Sequence, residues 1–147
     1  MKVSTLTIGL LFFTVFILFS ISACACDCGL QTSKLSIKKQ VRNANERSVA
    51  VFSGTVIEIN EDPLDLIYSV RFRVTSQWKG SQVAAIYINT GKGSGDCGFP
   101  FELNKEYLVY AFETSDTKLS TNICDRTALL SEAQADLAVL GKPKAKT

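Results

Sequence analysis

Three of the five cysteines crowd one short stretch, at positions 24, 26 and 28, and the other two stand far along the chain at 97 and 124. If they oxidise, the N-terminal segment is pinned to distant parts of the chain, and few folds tolerate that. Oxidation depends on compartment, and residues 1–25 speak to it. Lys2 supplies a positive start, and no charged residue follows from Val3 to Cys26. Within that run Leu10-Leu11-Phe12-Phe13 and Val15-Phe16-Ile17-Leu18-Phe19 form an apolar block that gives way to Ser20, Ser22, Ala23 and Ala25. A charged start, an apolar middle and a small-residue exit are the parts of a secretory signal. The run is also long enough for a retained membrane anchor, but the small-residue exit fits cleavage and no basic stop-transfer cluster follows. The chain is therefore read as exported, secreted or extracytoplasmic, where disulfides persist.

Two cleavage sites overlap. Ile21-Ser22-Ala23-Cys24 reads as a lipobox, in which removal of residues 1–23 leaves Cys24 to be lipidated. Ala23-Cys24-Ala25 reads as the site of ordinary signal peptidase, which removes 1–25 and makes Cys26 the first residue. The lipobox is slightly favoured, and any membrane attachment would run through a lipid at Cys24. Either way four cysteines remain, enough for two bridges in three possible pairings. A bond between Cys26 and Cys28 across a single residue would be strained, so each is expected to reach a distant partner. Loops of ~70 to ~100 residues are worth roughly 4–5 kcal/mol each in the chain-entropy model.

About 120 residues follow the signal, enough for one compact domain with its own core. One of the 16 basic residues leaves with the signal, so the rest is nearly neutral against 14 acidic residues. That balance excludes nucleic acid as an expected partner. The chain has no histidine, which removes Ser-His-Asp and Cys-His nucleophilic systems and the commonest zinc ligand. The expectation is a protein that is not an enzyme and carries no cofactor or metal of its own.

Leu30 to Glu46 is polar and basic with Ile37, Val41 and Ala44 at helical spacing. Val49 to Ile59 reads as a strand with a bulge or bend at Gly54. After the turn at Asn60-Glu61-Asp62-Pro63, the row Leu66, Tyr68, Val70, Phe72, Val74 and Trp78 alternates with Ser69, Arg71, Arg73, Thr75, Gln77 and Lys79, one face buried and one wet. Further strands are expected at Val83–Thr90, Tyr107–Thr114 and Lys118–Ile123. A last helix is signposted by Ser131 and Gln134 as a capping box, by Ala133, Leu137 and Leu140 on one face, and by Gly141 and Pro143 at its end. Residues 142–147 read as a disordered tail. Five strands with a helix at each end give a mainly β fold that suits a small closed barrel of the OB type.

The glycine-rich loop from Thr90 to Cys97 is not a phosphate loop, because no G-x-x-x-x-G-K-[ST] register fits and no helix follows to present its amides. It reads as a flexible turn delivering Cys97 to its partner. A thiolate metal site at Cys24, Cys26 and Cys28 is disfavoured by export, and a redox pair would need C-x-x-C at a helix start. Arg71, Arg73, Lys38, Lys39 and Arg42 read as solvated charges.

Cys26-Asp27-Cys28 at the mature start, the helix, and Val51-Phe52-Ser53-Gly54-Thr55-Val56 resemble the opening of the tissue inhibitors of metalloproteinases, a netrin-like (NTR) domain family. Gly95-Asp96-Cys97-Gly98, Tyr107-Leu108-Val109, Leu119 to Cys124 and the closing helix extend the resemblance over residues 26–141, most like the short microbial members. The resemblance implies an OB-type barrel with bridges Cys26–Cys97 and Cys28–Cys124. It also implies that the α-amino nitrogen and carbonyl oxygen of Cys26 chelate the catalytic zinc of a metalloproteinase, displacing the water that would attack substrate. Asp27 and Cys28 form the inserted segment, and Gly95, Asp96 and Gly98 the neighbouring contact loop. Position 27 departs from the small uncharged residue usual in the family's inhibitors. The alternative is a non-inhibitory, lipid-anchored module of the cell envelope or surface that binds protein or glycan.

Overall fold

A computed structural model describes residues 26, 28, 35–63, 66–93 and 95–145. The expected signal, the lipidation site Cys24 and the inserted Asp27 lie outside the described residues.

Helix α1 spans Ile37–Arg47, and the strands are β1 (Ala50–Asp62), β2 (Ile67–Lys79), β3 (Ala85–Gly91), β4 (Glu106–Glu113), β5 (Leu119–Ser120) and β6 (Ala128–Leu129). A 3₁₀ turn at Leu130–Glu132 leads into helix α2, Gln134–Leu140. β1 pairs with both β2 and β4, β2 continues to β3, and β5 bridges β3 to β4, so five strands close into a ring. All its pairings are antiparallel except β3 with β5. β6 adds to β4 outside the ring. The fold is mainly β and barrel-like.

A strand that serves two neighbours must coil, and β1 does so through register shifts at Val51/Phe52, Ser53/Gly54 and Val56/Glu58. The expected irregularity at Gly54 coincides with the middle one, but the extra residue there is Thr75 of β2, not a residue of β1. A Cβ added at Gly54 would lie 2.7 Å from the Arg73 carbonyl oxygen, which is backbone and has nowhere to go. Gly54→Ala should therefore destabilise the domain by about 1–3 kcal/mol, measured as a fall in the urea midpoint.

The alternation of β1 and β4 builds two cores. Phe52, Val56, Val70, Phe72, Ile88, Tyr107 and Val109 fill the ring, each at most 2% exposed. Val51, Leu108 and Tyr110 point the other way and meet Val41 and Ala44 of α1, Ala133, and Leu137 and Leu140 of α2. Both faces of β1 and β4 are thus covered, which is why Val-Ala-Val-Phe and Tyr-Leu-Val-Tyr lack an apolar–polar rhythm. The end of α1 is tied to the barrel by Lys79, whose Nζ donates to Asn45 O (2.7 Å) and Glu46 O (3.1 Å), favourable for a cation at a helix C-terminus.

Several expectations are corrected. Leu66 precedes β2 with φ of 54° and is 62% exposed, so the inward row starts at Tyr68. Thr75, the extra β2 residue opposite Ser53 and Gly54, inverts the alternation beyond it. Gln77 stands opposite Phe52 and is buried, whereas Trp78 packs in the outer core. The strand expected over Lys118–Ile123 is only Leu119–Ser120, and the chain then turns into β6. Ser131 does not cap α2: it lies in the 3₁₀ turn, and Ala133 occupies the cap position without a side-chain bond. Residues 142–145 run along the barrel, with Lys144 N donating to Gln77 O (2.7 Å) and Lys144 Nζ to Gly80 O (2.8 Å).

Candidate functional site

The four described cysteines converge at one end of the barrel. Cys26 is bonded to Cys97 with Cα atoms 5.5 Å apart, and Cys28 to Cys124 at 5.1 Å. These are the pairs implied by the resemblance. Ile123 N donates to Cys97 O at 3.0 Å, so the two receiving loops are joined to each other as well as to the N-terminal segment. Two disulfides suit an oxidising, extracytoplasmic compartment. Among the described residues no helix is long and apolar enough to cross a membrane.

The loop carrying Cys97 is organised by one carboxylate. Asp96 Oδ2 accepts Lys92 N (2.7 Å), and Oδ1 accepts Gly93 N (2.8 Å) and Gly98 N (3.0 Å). The Gly98 amide above all, then that of Lys92, holds the Asp96 carboxyl below the usual carboxylate range. Glycine is required on both sides of this knot. A Cβ on Gly91 would fall 2.5 Å from the Asp96 carboxylate carbon, and one on Gly98 2.0 Å from Gly91 O. Of the expected contact loop, Gly98 is buried and Asp96 is exposed with its carboxylate engaged by the loop's own amides, while Gly95 meets the N-terminal segment: Cys26 Sγ lies 3.8 Å from Gly95 O.

A group whose pKa is depressed by folding stabilises above its unfolded value, 3.8 here, and loses that contribution as pH falls through the folded one. The 92–98 loop should therefore loosen locally in acid. Hydrogen exchange of the Gly98 and Gly93 amides reports it, and Asp96→Asn should exchange faster at neutral pH without lowering the global melting temperature much.

The second loop rests on a buried polar group absent from the sequence expectation. Asp136 of α2 is 5% exposed. Its Oδ2 accepts Arg126 Nε (2.9 Å) and Tyr110 OH (2.9 Å), and its Oδ1 accepts Arg126 Nη2 (2.5 Å). Arg126 Nη1 reaches Gln40 Oε1 of α1 at 2.7 Å. Burial, then the Asp136 carboxylate, push the Tyr110 hydroxyl well above the ordinary tyrosine range. Arg126 lies two residues past Cys124, so this network fixes the loop that receives Cys28. Asp136 was legible in one respect only: it falls in the same helical stripe as Ala133, Leu137 and Leu140. Between Cys124 and Arg126, burial raises the Asp125 carboxyl, whose Oδ2 accepts Asn122 N at 3.0 Å.

Beside the bridges, Ile123 is 48% exposed, an apolar group next to the Cys26 and Cys28 attachments that the sequence reading did not single out. Among the described residues no group of three or more His, Cys, Asp or Glu could hold a metal ion. No protein-family model matches this chain, and no curated protein matches it in sequence.

Proposed function

We propose that this is an exported inhibitor of a zinc metalloendopeptidase, built on an OB-type barrel of the netrin-like kind and acting through the N-terminal amine and carbonyl of Cys26. The observation that carries the reading is the double clamp: Cys26 and Cys28, one residue apart, are each bonded to a different loop, and the loops are bonded to each other. A segment held at both cysteines presents its first nitrogen and oxygen without having to be ordered on binding. A five-membered N,O chelate fills the open position of a catalytic zinc and needs no side chain. The ring order of the strands, with β3 and β5 as the single parallel pair, supports the OB-type assignment.

The partner's chemistry follows from Asp27. A carboxylate entering the cleft beside the zinc is costly to desolvate unless a cation or donors await it. The protease that fits carries a basic or amide-rich specificity pocket. Gly95 and Ile123 flank the clamp and offer a flat backbone contact and an apolar one.

The sequence Ile21-Ser22-Ala23-Cys24 favours a second reading. An acylated Cys24 makes the nitrogen of Cys26 a peptide amide, which does not chelate, and tethers this end of the barrel to a bilayer. Intact-mass and N-terminal peptide mapping of the exported protein distinguish the two. A free Cys26 start is the expected result for an inhibitor, and a lipidated Cys24 start makes the protein a tethered binding module.

A further inference from the structure

The outer face of the barrel carries a cleft that the clamp does not use. Alternation sends Val70, Phe72 and Ile88 into the ring, so their neighbours Ser69, Arg71, Tyr87 and Asn89 face outward. The register sets these as two facing pairs, Arg71 opposite Tyr87 and Ser69 opposite Asn89. β1 extends both rows, with Glu58 beside Arg71 and Asn60 beside Ser69. On the other side β5 joins β3 at Asn89. A cleft of about 290 Å³ opens here, lined by the apolar Ile67 and Leu119 and by the polar side chains of both neighbouring strands. That is the small end of the range for ligand clefts.

The aromatic group at this cleft is presented rather than packed. Tyr87 is 53% exposed. The Arg71 guanidinium stands 5.7 Å from its ring centroid and is itself 3.5 Å from the Glu58 carboxylate, so a charged row across the sheet props the ring in place. The polar groups around the ring are unspent. Asn89 O accepts Ser120 Oγ (2.9 Å) and Thr121 N (3.0 Å), whereas the Asn89 carboxamide and the Ser69 and Tyr87 hydroxyls have no partner among the described residues. Each of the three both donates and accepts. The charged residues of the lining are one of each sign, Asp62 and Lys118, which gives a polyanion no net attraction. β2 is paired with β1 on one side and β3 on the other along this stretch. Its backbone has no edge to offer a peptide strand, and recognition falls to the side chains.

A ligand matching this arrangement has one apolar face and an edge of groups that donate and accept at once. A pyranose ring has both: a face of C–H bonds and a rim of hydroxyls. We propose that the cleft binds roughly one or two units of a neutral pyranose saccharide. The sugar's C–H face stacks on Tyr87, and its hydroxyls bond to the Asn89 carboxamide and Ser69 Oγ. The site shares no residue with the clamp or its two loops, so it belongs equally to an inhibitor and to a tethered module, and its test does not depend on the chemistry of Cys26.

The test is a titration of ¹⁵N-labelled protein with neutral tetrasaccharides of glucose, N-acetylglucosamine, mannose and galactose. At least one should move the amides of Ser69, Tyr87, Asn89 and Leu119 saturably. Tyr87→Ala should weaken that sugar's binding by about tenfold at an unchanged melting temperature, and Tyr87→Trp should retain it. Asn89→Ala should weaken it by about threefold to tenfold. Unmoved amides with all four sugars at ~5 mM overturn the proposal, as does binding that Tyr87→Ala and Asn89→Ala leave unchanged. A heparin tetrasaccharide that binds these amides more tightly than every neutral sugar would assign the face to a polyanion, which also overturns it.

Discussion

Removing both disulfides, by Cys26→Ser and Cys97→Ser with Cys28→Ser and Cys124→Ser, should leave the chain unfolded at 37 °C. Either pair alone should leave it folded. The two bridges close separations of 71 and 96 residues, and the first to form is worth about 4.5 kcal/mol in the chain-entropy model. The second is worth less, because the bridges interlock. With one in place, the other closes a loop of roughly 30 residues and contributes about 3.5 kcal/mol. Together they approach about 8 kcal/mol, comparable with the whole stability of an ordinary domain. Urea unfolding of the two double-serine variants should give closely similar midpoints, since the chain-entropy values of the two loops differ by only about 0.3 kcal/mol. Far-UV circular dichroism of the four-serine variant should show a disordered chain. A four-serine variant that unfolds cooperatively near the wild-type midpoint would mean the cores alone hold the barrel.

The second large effect is expected at Asp136. Asp136→Ala strands the Arg126 guanidinium and the Tyr110 hydroxyl, and breaking one side of a buried pair costs about 3–5 kcal/mol. Arg126→Met combined with Asp136→Leu should recover most of that loss, because the uncompensated charge is gone. Tyr110→Phe alone should cost about 1 kcal/mol. Tyr110 also sets an alkaline limit. A hydroxyl whose folded pKa is raised adds stability that is whole below its unfolded value, 10.0, and declines as pH rises above that. The thermal midpoint should fall above pH 10 in wild type, and less steeply in Tyr110→Phe. Tyr107, raised by its burial, keeps part of the slope.

The mainly β class, the strands of the ring and the Gly54 bend were legible because each rests on a local pattern. Tyr68, Val70 and Phe72 alternate, Gly54 interrupts a β-branched run, and Gly141 ends the last helix. What escaped depends on contacts far apart in sequence. No local rule says that Gln77 is inward and Trp78 outward, since that inversion follows from the extra β2 residue, Thr75, opposite Ser53 and Gly54. The capping box at Ser131–Gln134 has the right letters, but the chain leaves β6 through a 3₁₀ turn that takes Ser131 out of position. Asp136 in an apolar stripe was a visible anomaly without a visible partner, because Arg126 and Tyr110 come to it through the fold. At the clamp, the cysteine positions left two long-range pairings open. Family resemblance picked one of them, and the structure joins the same pairs.

The proposed inhibition depends on the free amine of Cys26. The direct measurement compares two refolded proteins, one beginning at Cys26 and one with a single alanine ahead of it, as inhibitors of a zinc endopeptidase with a basic specificity pocket. Both should show the two disulfides and the same melting temperature. The protein starting at Cys26 should inhibit, more strongly by about tenfold per pH unit as pH rises toward the amine's pKa of ~8. The alanine-extended protein should inhibit at least about 100-fold less, having no amine to offer the metal. Equal inhibition by the two proteins, or none by the one that starts at Cys26, would contradict chelation as this protein's mechanism.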